Sequence, residues 1–220
     1  DGLGYAIARK FLYQRTLMPF VKFLVMSVAA TTLAACGPSE GTSGQAGKTV
    51  TSGQADIGGE FSLVNQNGER VSEETLTGKP HLIYFGFTYC PDVCPTALQK
   101  MGQAQSLLGD KGDDVGYVLI SVDPERDTVE SLSQYVEANG FPEGLQGFTG
   151  TPEEVEVAKA AYKVYSSKVP TPESAADYTV DHSDMMYLMG ADGKFVDFFY
   201  GRTTPTEMAA RLTKHLKTGE

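Results

Sequence analysis

Continuous apolar runs alternate along this chain with segments in which apolar residues recur at helical spacing. The runs 81–87 (HLIYFGF) and 115–122 (VGYVLISV) predict strands buried on both faces. Between them a helix is predicted to begin near Pro95, because proline suits a first helical position. Its amphipathic pattern runs through Leu98, Met101, Ala104, Gln105 and Leu108. The order strand, helix, strand predicts parallel pairing of the two strands.

Three further helices are predicted from their capping residues. Thr128 is expected to cap a helix over 129–139. Capping boxes of the form Thr-Pro-x-Glu open the other two helices, which are predicted over 151–165 and 204–217. All three helices follow the two buried strands in the sequence.

Short strands and turns complete the pattern. Phe61–Val64, followed by an Asn-Gly turn, predicts an N-terminal hairpin. The segments 185–189 (MMYLM) and 194–200 (KFVDFFY) predict a second hairpin, and the methionines of its first strand are interpreted as core residues rather than ligands. Residues 166–176 predict a polar, proline-rich loop.

These elements predict an α/β protein with a thioredoxin-like fold, in which helices flank a mixed central sheet and a β-hairpin extends the N-terminus. The 220 residues are 41% hydrophobic and 21% charged, which suffices for one folded domain and excludes a wholly disordered chain. A net charge of −10 argues against a nucleic-acid partner. The acidic runs 110–114 and 123–127 are interpreted as solvated surface.

The N-terminal segment has the pattern of a bacterial export signal. From Met18, the favoured start, a lysine precedes the apolar run 23–30, and small residues lead to Cys36. The run is shorter than the roughly 20 residues that a membrane-spanning helix needs. Residues 33–36 (LAAC) resemble the lipobox of bacterial lipoproteins, in which cleavage precedes the cysteine and its thiol carries a diacylglycerol.

The predicted organisation has three parts. Residues 1–35 are upstream residues and the signal peptide, residues 36–55 are the lipidated Cys36 and a flexible tether, and residues 56–220 are the folded domain. Loss of 1–35 removes four basic residues and one acidic residue, so the mature chain would carry a net charge of −13. We expect this protein in the bacterial cell envelope, anchored to a membrane by its lipid.

Cys90 and Cys94 follow the first buried strand in the turn Cys-Pro-Asp-Val-Cys-Pro. Sites form where a buried strand ends and a helix begins, and four-residue spacing lets two side chains converge. The helix N-terminus is expected to favour a thiolate at Cys94. Two chemistries remain open, a dithiol–disulfide pair and a thiolate pair that binds a soft ion such as Cu(I). Both need a reductase partner, because an exported protein meets oxidising conditions.

Among three histidines, His182 is the candidate third ligand. His81 begins a buried strand, and His215 lies near the end of the last helix, where a cationic or capping role is expected. His182 lies just before the strand 185–189, and the loop that enters this strand faces the cysteine turn in a thioredoxin-like sheet. Disulfide oxidoreductases with this fold carry a cis-proline there, which this loop lacks. A Cys₂His metal set is therefore favoured.

Five segments resemble the Sco (SenC) family closely. They follow the family order and are distributed along most of the predicted domain, as 58–71 (GGEFSLVNQNGERV), 82–95 (LIYFGFTYCPDVCP), 120–128 (ISVDPERDT), 148–154 (FTGTPEE) and 180–195 (VDHSDMMYLMGADGKF). The cysteine turn combined with the Asp-His-Ser segment is the most specific match. The chain departs from the family at Tyr89, where many members have histidine, and in carrying a lipobox where many have an N-terminal membrane helix.

The resemblance implies a copper chaperone that helps assemble the binuclear copper centre of cytochrome c oxidase subunit II. It implies that Cys90, Cys94 and His182 bind copper as Cu(I) or Cu(II), and that Asp92 is a candidate for tuning the site or docking the partner. A periplasmic thiol reductase and another copper chaperone are further implied partners. A role in oxidase assembly favours the inner membrane, and the domain is expected to face the periplasm or the outside.

Two other activities remain open. A thiol-disulfide reductase that keeps the oxidase cysteines reduced would need Cys90 and Cys94 but not His182. A peroxiredoxin-like peroxidase has the same fold, but the sequence has its cysteine pair on one turn and no separate Thr-x-x-Cys site. The copper chaperone is the favoured function.

Overall fold

The computed structural model describes residues 55–173 and 176–218. The predicted signal segment 1–35 with its start at Met18, the lipidation site Cys36 and the tether up to residue 54 lie outside these residues. No helix in the described ranges is long and apolar enough to cross a membrane.

Nine strands and four α-helices form within the described residues, together with two short 3₁₀ helices at Glu73–Leu76 and Gly109–Asp114. The strands are β1 (Ser62–Asn65), β2 (Arg70–Ser72), β3 (His81–Gly86), β4 (Gly116–Ser121), β5 (Gln146–Thr149), β6 (Ser166–Pro170), β7 (Tyr178–His182), β8 (Met185–Met189) and β9 (Phe195–Tyr200). The helices are α1 (Val93–Leu108), α2 (Val129–Tyr135), α3 (Pro152–Ala161) and α4 (Pro205–Thr218).

Seven strands form one mixed sheet in the order β2-β1-β5-β4-β3-β8-β9. The central strands β3, β4 and β5 are parallel, with α1 crossing over between β3 and β4. The hairpins β1–β2 and β8–β9 join the two sides of this centre by antiparallel pairing. This arrangement confirms the predicted α/β, thioredoxin-like fold with its N-terminal hairpin.

The core lies on both faces of the central strands. Every residue of β3 and β4 is buried, as the continuous apolar runs predict. Helix α1 packs against α4, and Met186 and Met189 of β8 are buried, which confirms their interpretation as core residues. His81 is also buried and its Nδ1 lies 2.8 Å from the Lys79 carbonyl oxygen, so its role is structural.

Strand β5 is not indicated by the sequence pattern, because its four residues show no alternation of apolar and polar positions. It pairs with β4 on one side and with β1 on the other, and thereby attaches the N-terminal hairpin to the central sheet. Phe148 of this strand is fully buried, with its ring centroid 6.5 Å from that of Phe61.

Replacement of Phe148 by alanine should lower the free energy of unfolding by roughly 3–5 kcal/mol, because it leaves a cavity between the hairpin and the sheet. Urea unfolding followed by circular dichroism measures the loss. The control Tyr165→Ala changes a side chain that is 61% exposed and should cost less than about 0.5 kcal/mol. Equal losses in the two variants would contradict the predicted role of Phe148.

Helices α2 and α3 begin at their predicted threonine caps but are shorter than predicted. They end at Tyr135 and Ala161, and residues with positive φ follow soon after, Gly140 at 85° and Lys163 at 57°. After α2 the chain turns back so that Phe141 packs on Tyr135, with ring centroids 5.3 Å apart. Tertiary packing therefore ends these helices before their favourable local sequence does.

The prediction of a loop over 166–176 is wrong for its first half. Ser166–Pro170 forms β6, which pairs with β7 in a separate two-stranded sheet. Three of the five β6 residues are exposed, so backbone hydrogen bonds to β7 hold this strand and hydropathy does not reveal it. The hairpin matters for the site because β7 ends at His182.

Candidate metal centre

The cysteine turn lies between the end of β3 and the start of α1. Asp92 is the N-cap residue of α1, Cys94 is buried in its first turn, and Cys90 is half-buried in the loop before it. The Cys94 backbone N–H donates a hydrogen bond to Cys90 Sγ over 3.3 Å. Neither of the two cysteines forms a disulfide, and the four-residue spacing brings them together as predicted.

Cys94 packs against the end of β3, where Gly86 leaves room for it. A Cβ on Gly86 would lie 3.2 Å from Cys94 Sγ and 2.8 Å from Cε1 of Tyr84. A larger residue at this position would therefore push the thiol or the tyrosine ring away. Glycine is required at position 86 because the Cys94 thiol and the Tyr84 ring lie too close to its Cα for a side chain to fit.

His182 reaches the cysteines from the end of β7. Its Nε2 lies 3.4 Å from Cys94 Sγ, and its Nδ1 lies 3.1 Å from the Ser183 carbonyl oxygen. With the Nδ1 proton donated to this carbonyl, the imidazole would present its Nε2 lone pair to a bound metal. With bonds of about 2.3 Å to sulfur and 2.0 Å to nitrogen, as for zinc, a near-tetrahedral metal separates such atoms by about 3.5 Å.

Two aromatic rings hold the imidazole from the side. Phe87 and Tyr84 contact the His182 ring edge to face, with centroids 5.8 and 6.0 Å away. The Tyr84 hydroxyl is buried and has no hydrogen-bond partner among the described residues. Burial is the main cause that raises the pKa of Tyr84 far above its usual value, and the Asp184 carboxylate adds to it, so the phenol stays protonated.

The two thiols have opposite acidities. A hydrogen bond from the Cys94 side chain lowers the pKa of Cys90 to about 4, against desolvation and with help from His182 and the backbone N–H groups of Cys94 and Asp92. The same hydrogen bond and burial raise the pKa of Cys94. The metal-free site therefore holds a thiolate at Cys90 and a thiol at Cys94, and the expectation of a thiolate at Cys94 is wrong.

A cavity of about 440 Å³ opens beside Cys90 and His182. Its walls are mostly apolar, and its lining includes Phe87, Val93 and Asp92. Asp92 is exposed, and its carboxylate lies 3.4 Å from the Thr96 hydroxyl. The cavity exposes one thiolate and one imidazole to a small ligand or an incoming protein side chain.

The interpretation of residues 123–127 as solvated surface is wrong, because Asp123 and Asp127 are fully buried. Asp127 accepts hydrogen bonds from the Thr88 N–H and hydroxyl and from the Ser121 hydroxyl, the last two over 2.6 Å. Burial raises its pKa, partly offset by these bonds. This carboxyl anchors the loop that leads to Cys90. Its place after the buried strand β4 is the signal that sequence reasoning missed.

His215 is remote from this site. Its Nε2 lies 3.2 Å from Asp197 Oδ2, so its ring contacts a carboxylate of β9 and not the cysteine turn. No group of three His, Cys, Asp or Glu side chains in the described ranges is arranged as a complete metal cage. Cys90 and His182 each contact Cys94. Metal binding would therefore draw the three ligand atoms closer together.

Comparison with known proteins identifies the family. The sequence model of the SCO1/SenC family matches residues 49–217. The chain is 47% identical over 150 residues to mitochondrial SCO1 homolog 1 of Arabidopsis thaliana and 44% identical over 167 residues to the human mitochondrial SCO1 homolog. These matches cover 68% and 75% of this chain but 44% and 54% of the relatives. The chain thus spans about half the length of these curated relatives.

Solved structures share the fold. Arabidopsis ScoI with copper bound is 42% identical, with a TM-score of 0.69 over 74% of this chain and 99% of that chain. A SCO1/SenC family lipoprotein from Bacillus anthracis is 27% identical, with a TM-score of 0.60 over 73% and 95%. BsSco, described as a Sco-family cytochrome c oxidase assembly protein with a disulfide switch, is 29% identical, with a TM-score of 0.58 over 76% and 95%. With its thioredoxin-like fold and cysteine turn, this chain belongs to the SCO1/SenC family.

Proposed function

We propose that this protein is a membrane-tethered copper metallochaperone that binds copper through Cys90, Cys94 and His182. The observation that carries the proposal is the 3.4 Å approach of Cys94 Sγ to His182 Nε2, beside Cys90 Sγ, which accepts a hydrogen bond from the Cys94 backbone N–H. Thiolate and imidazole are the ligands that copper prefers. The copper-bound structure of the Arabidopsis relative supports the same cargo.

The site is built for transfer rather than for permanent retention. Cys94 is buried, whereas Cys90 is half-buried and lines the open cavity. Cys90 is a thiolate at neutral pH, so it can bind copper without first losing a proton. A partner's thiolate that enters the cavity would meet copper at Cys90 first.

We propose that the recipient is the binuclear copper centre of cytochrome c oxidase subunit II. The description of BsSco as a member of a family of oxidase assembly proteins supports this class of target. Asp92, exposed beside Cys90, is the proposed residue for tuning the site or docking the partner. Another copper chaperone would load the site, and a periplasmic thiol reductase would keep the cysteines reduced.

The proposed tether is a lipid on Cys36, after removal of the signal peptide 1–35. The lipoprotein relative from Bacillus anthracis supports this anchor. The folded domain would then face the periplasm from the inner membrane of the cell envelope, close to the oxidase.

A thiol-disulfide reductase is the second candidate, favoured by the low pKa of Cys90. The Cys90 thiolate would attack one sulfur of a target disulfide and release the other as a thiol after protonation. Cys94, losing its proton, would then attack Cys90 Sγ and release the second target thiol. The target gains two electrons, and the protein is left with a Cys90–Cys94 disulfide that the reductase partner must reduce.

Copper titration of the reduced chain tests the proposed function. We expect one Cu(I) per chain in competition with a chelator, and no tight binding by the Cys90→Ser, Cys94→Ser double variant, because Cu(I) loses both thiolates. The single variants should each weaken binding strongly. Equal copper binding by the double variant and the wild type would contradict the proposal.

A further inference from the structure

Arg126 is a largely buried cation beside the metal centre, in the turn that follows β4. Its side chain is 16% exposed, and its Nε donates to Asp123 Oδ2 over 2.5 Å. The Asp123 partner is fully buried. The ion pair with Asp123 therefore fixes the position of the Arg126 side chain at the carboxyl end of the central strands.

From this point Arg126 reaches the strand that carries His182. Its Nη1 donates to the carbonyl oxygens of Ala176 and Tyr178 over 3.1 and 3.0 Å. Its guanidinium lies 3.7 Å from the centroid of the Tyr178 ring, and the Tyr178 hydroxyl donates to Asp123 Oδ1 over 2.7 Å. Arg126, Asp123 and Tyr178 thus tie the beginning of β7 to the central sheet.

The same guanidinium contacts the segment that carries Cys90. It lies 4.9 Å from the ring centroid of Tyr89, the neighbour of Cys90, and 5.9 Å from that of Phe87. Phe87 in turn packs edge to face on the imidazole of His182. Arg126 is therefore placed between the two segments that supply the ligands.

The β6–β7 hairpin depends on such contacts, because β6 and β7 pair with each other and not with the seven-stranded sheet. Most of β6 is exposed, so this strand gains little from burial. A planar guanidinium that donates through a fork and stacks on rings holds such a segment in a way that a lysine ammonium does not.

We propose that Arg126 is a positioning residue, which holds His182 at the distance from Cys94 that copper binding requires by tying β7 to the Cys90 loop. This inference rests on the proposed function and adds a residue that touches neither copper nor its ligands. The effect should resemble the loss of an outer-sphere partner, roughly 10–100-fold in metal affinity.

The test is Arg126→Lys, which keeps the charge near Asp123 and removes the fork and the stacking. We expect Cu(I) affinity to fall about 10–100-fold and the copper dissociation rate to rise. In the metal-free protein, the ring-proton NMR shifts of His182 should also move, because they sense the rings of Phe87 and Tyr84. Tyr178→Leu, which removes the stacking surface, should change copper affinity in the same direction.

Arg211→Lys is a matched control, because Arg211 of α4 makes the same kinds of contact to residues of β9. Arg211 donates from Nε to Asp197 over 3.0 Å and to the Phe198 carbonyl over 2.7 Å, and lies 4.3 Å from the Phe199 ring centroid. This variant should lower stability without changing copper affinity or the His182 shifts.

The outcomes separate the inference from the proposed function. If wild type binds copper and Arg126→Lys matches it in both affinity and His182 shifts, the positioning role is overturned and the proposed function stands. If wild type binds no copper, the proposed function fails, and unmoved His182 shifts would then overturn the positioning role as well. Moved shifts in Arg126→Lys alone would support it.

Discussion

Replacement of His182 by alanine should lower copper affinity by roughly 100-fold or more. His182 supplies the only imidazole at the site among the described residues, with Nε2 3.4 Å from Cys94 Sγ. Outer-sphere partners alone are worth about 10–100-fold in metal affinity, so the loss of a direct ligand should exceed this range. Competition titration with a Cu(I) chelator measures the change.

The same variant separates the two candidate functions. Disulfide chemistry should survive in His182→Ala, because the hydrogen bond from Cys94 is the largest cause of the low Cys90 pKa and is retained. His215→Ala serves as the control, since His215 contacts Asp197 and lies away from the site. If His182→Ala bound copper as tightly as wild type and still reduced disulfides, the reductase would be the better assignment.

Replacement of Cys94 by alanine should raise the pKa of Cys90 from about 4 towards its ordinary value of 9.0. The Cys94 side-chain hydrogen bond that stabilises the Cys90 thiolate is lost in this variant. Alkylation of Cys90 by iodoacetamide, measured against pH under reducing conditions, reports the midpoint. The midpoint is the sharper readout, because the intrinsic nucleophilicity of a thiolate rises with its pKa and offsets part of any change in rate.

The lowered pKa of Cys90 also makes the free energy of unfolding depend on pH. The pKa of Cys90 is lower in the folded state, so its thiolate adds stability that is complete above about pH 9 and is lost as the pH falls towards about 4. The difference in unfolding free energy between wild type and Cys94→Ala should therefore shrink across this range. His182→Ala, which removes a smaller cause, should move the alkylation midpoint less. An unchanged midpoint in Cys94→Ala would refute the thiol–thiolate hydrogen bond.

The central strands and the helix between them can be predicted from local sequence patterns. The strands β3 and β4 are continuous apolar runs with all residues buried, and such runs suit only a strand covered on both faces. The helix between them carries its own amphipathic spacing. Cys90 and Cys94 are neighbours because one helical turn separates them, so their meeting needs no information from elsewhere in the chain.

Other features depend on contacts between distant segments. The β6–β7 hairpin has weak hydropathy because it is held by strand pairing and by Arg126. Asp123 and Asp127 belong to a charged run that is typical of solvated surface. Both are nevertheless buried, and their carboxylates accept hydrogen bonds from several segments of the chain. A side chain's partners across the sheet cannot be read from its own neighbours in sequence.

The amino-acid order alone determined the buried strands, the crossover helix and the candidate ligands Cys90 and Cys94, because each rests on residue type and short-range spacing. His182 also became a candidate from the sequence, but through the thioredoxin-like topology that the predicted elements imply. Only the tertiary structure decided that the thiolate belongs to Cys90 and the thiol to Cys94. The physical reason is the hydrogen bond that Cys94 shares with Cys90, together with burial, because these two causes outweigh the helix N-terminus that favours a thiolate at Cys94. The local sequence determines which ionisable groups are neighbours, whereas the fold determines how strongly each of them is desolvated.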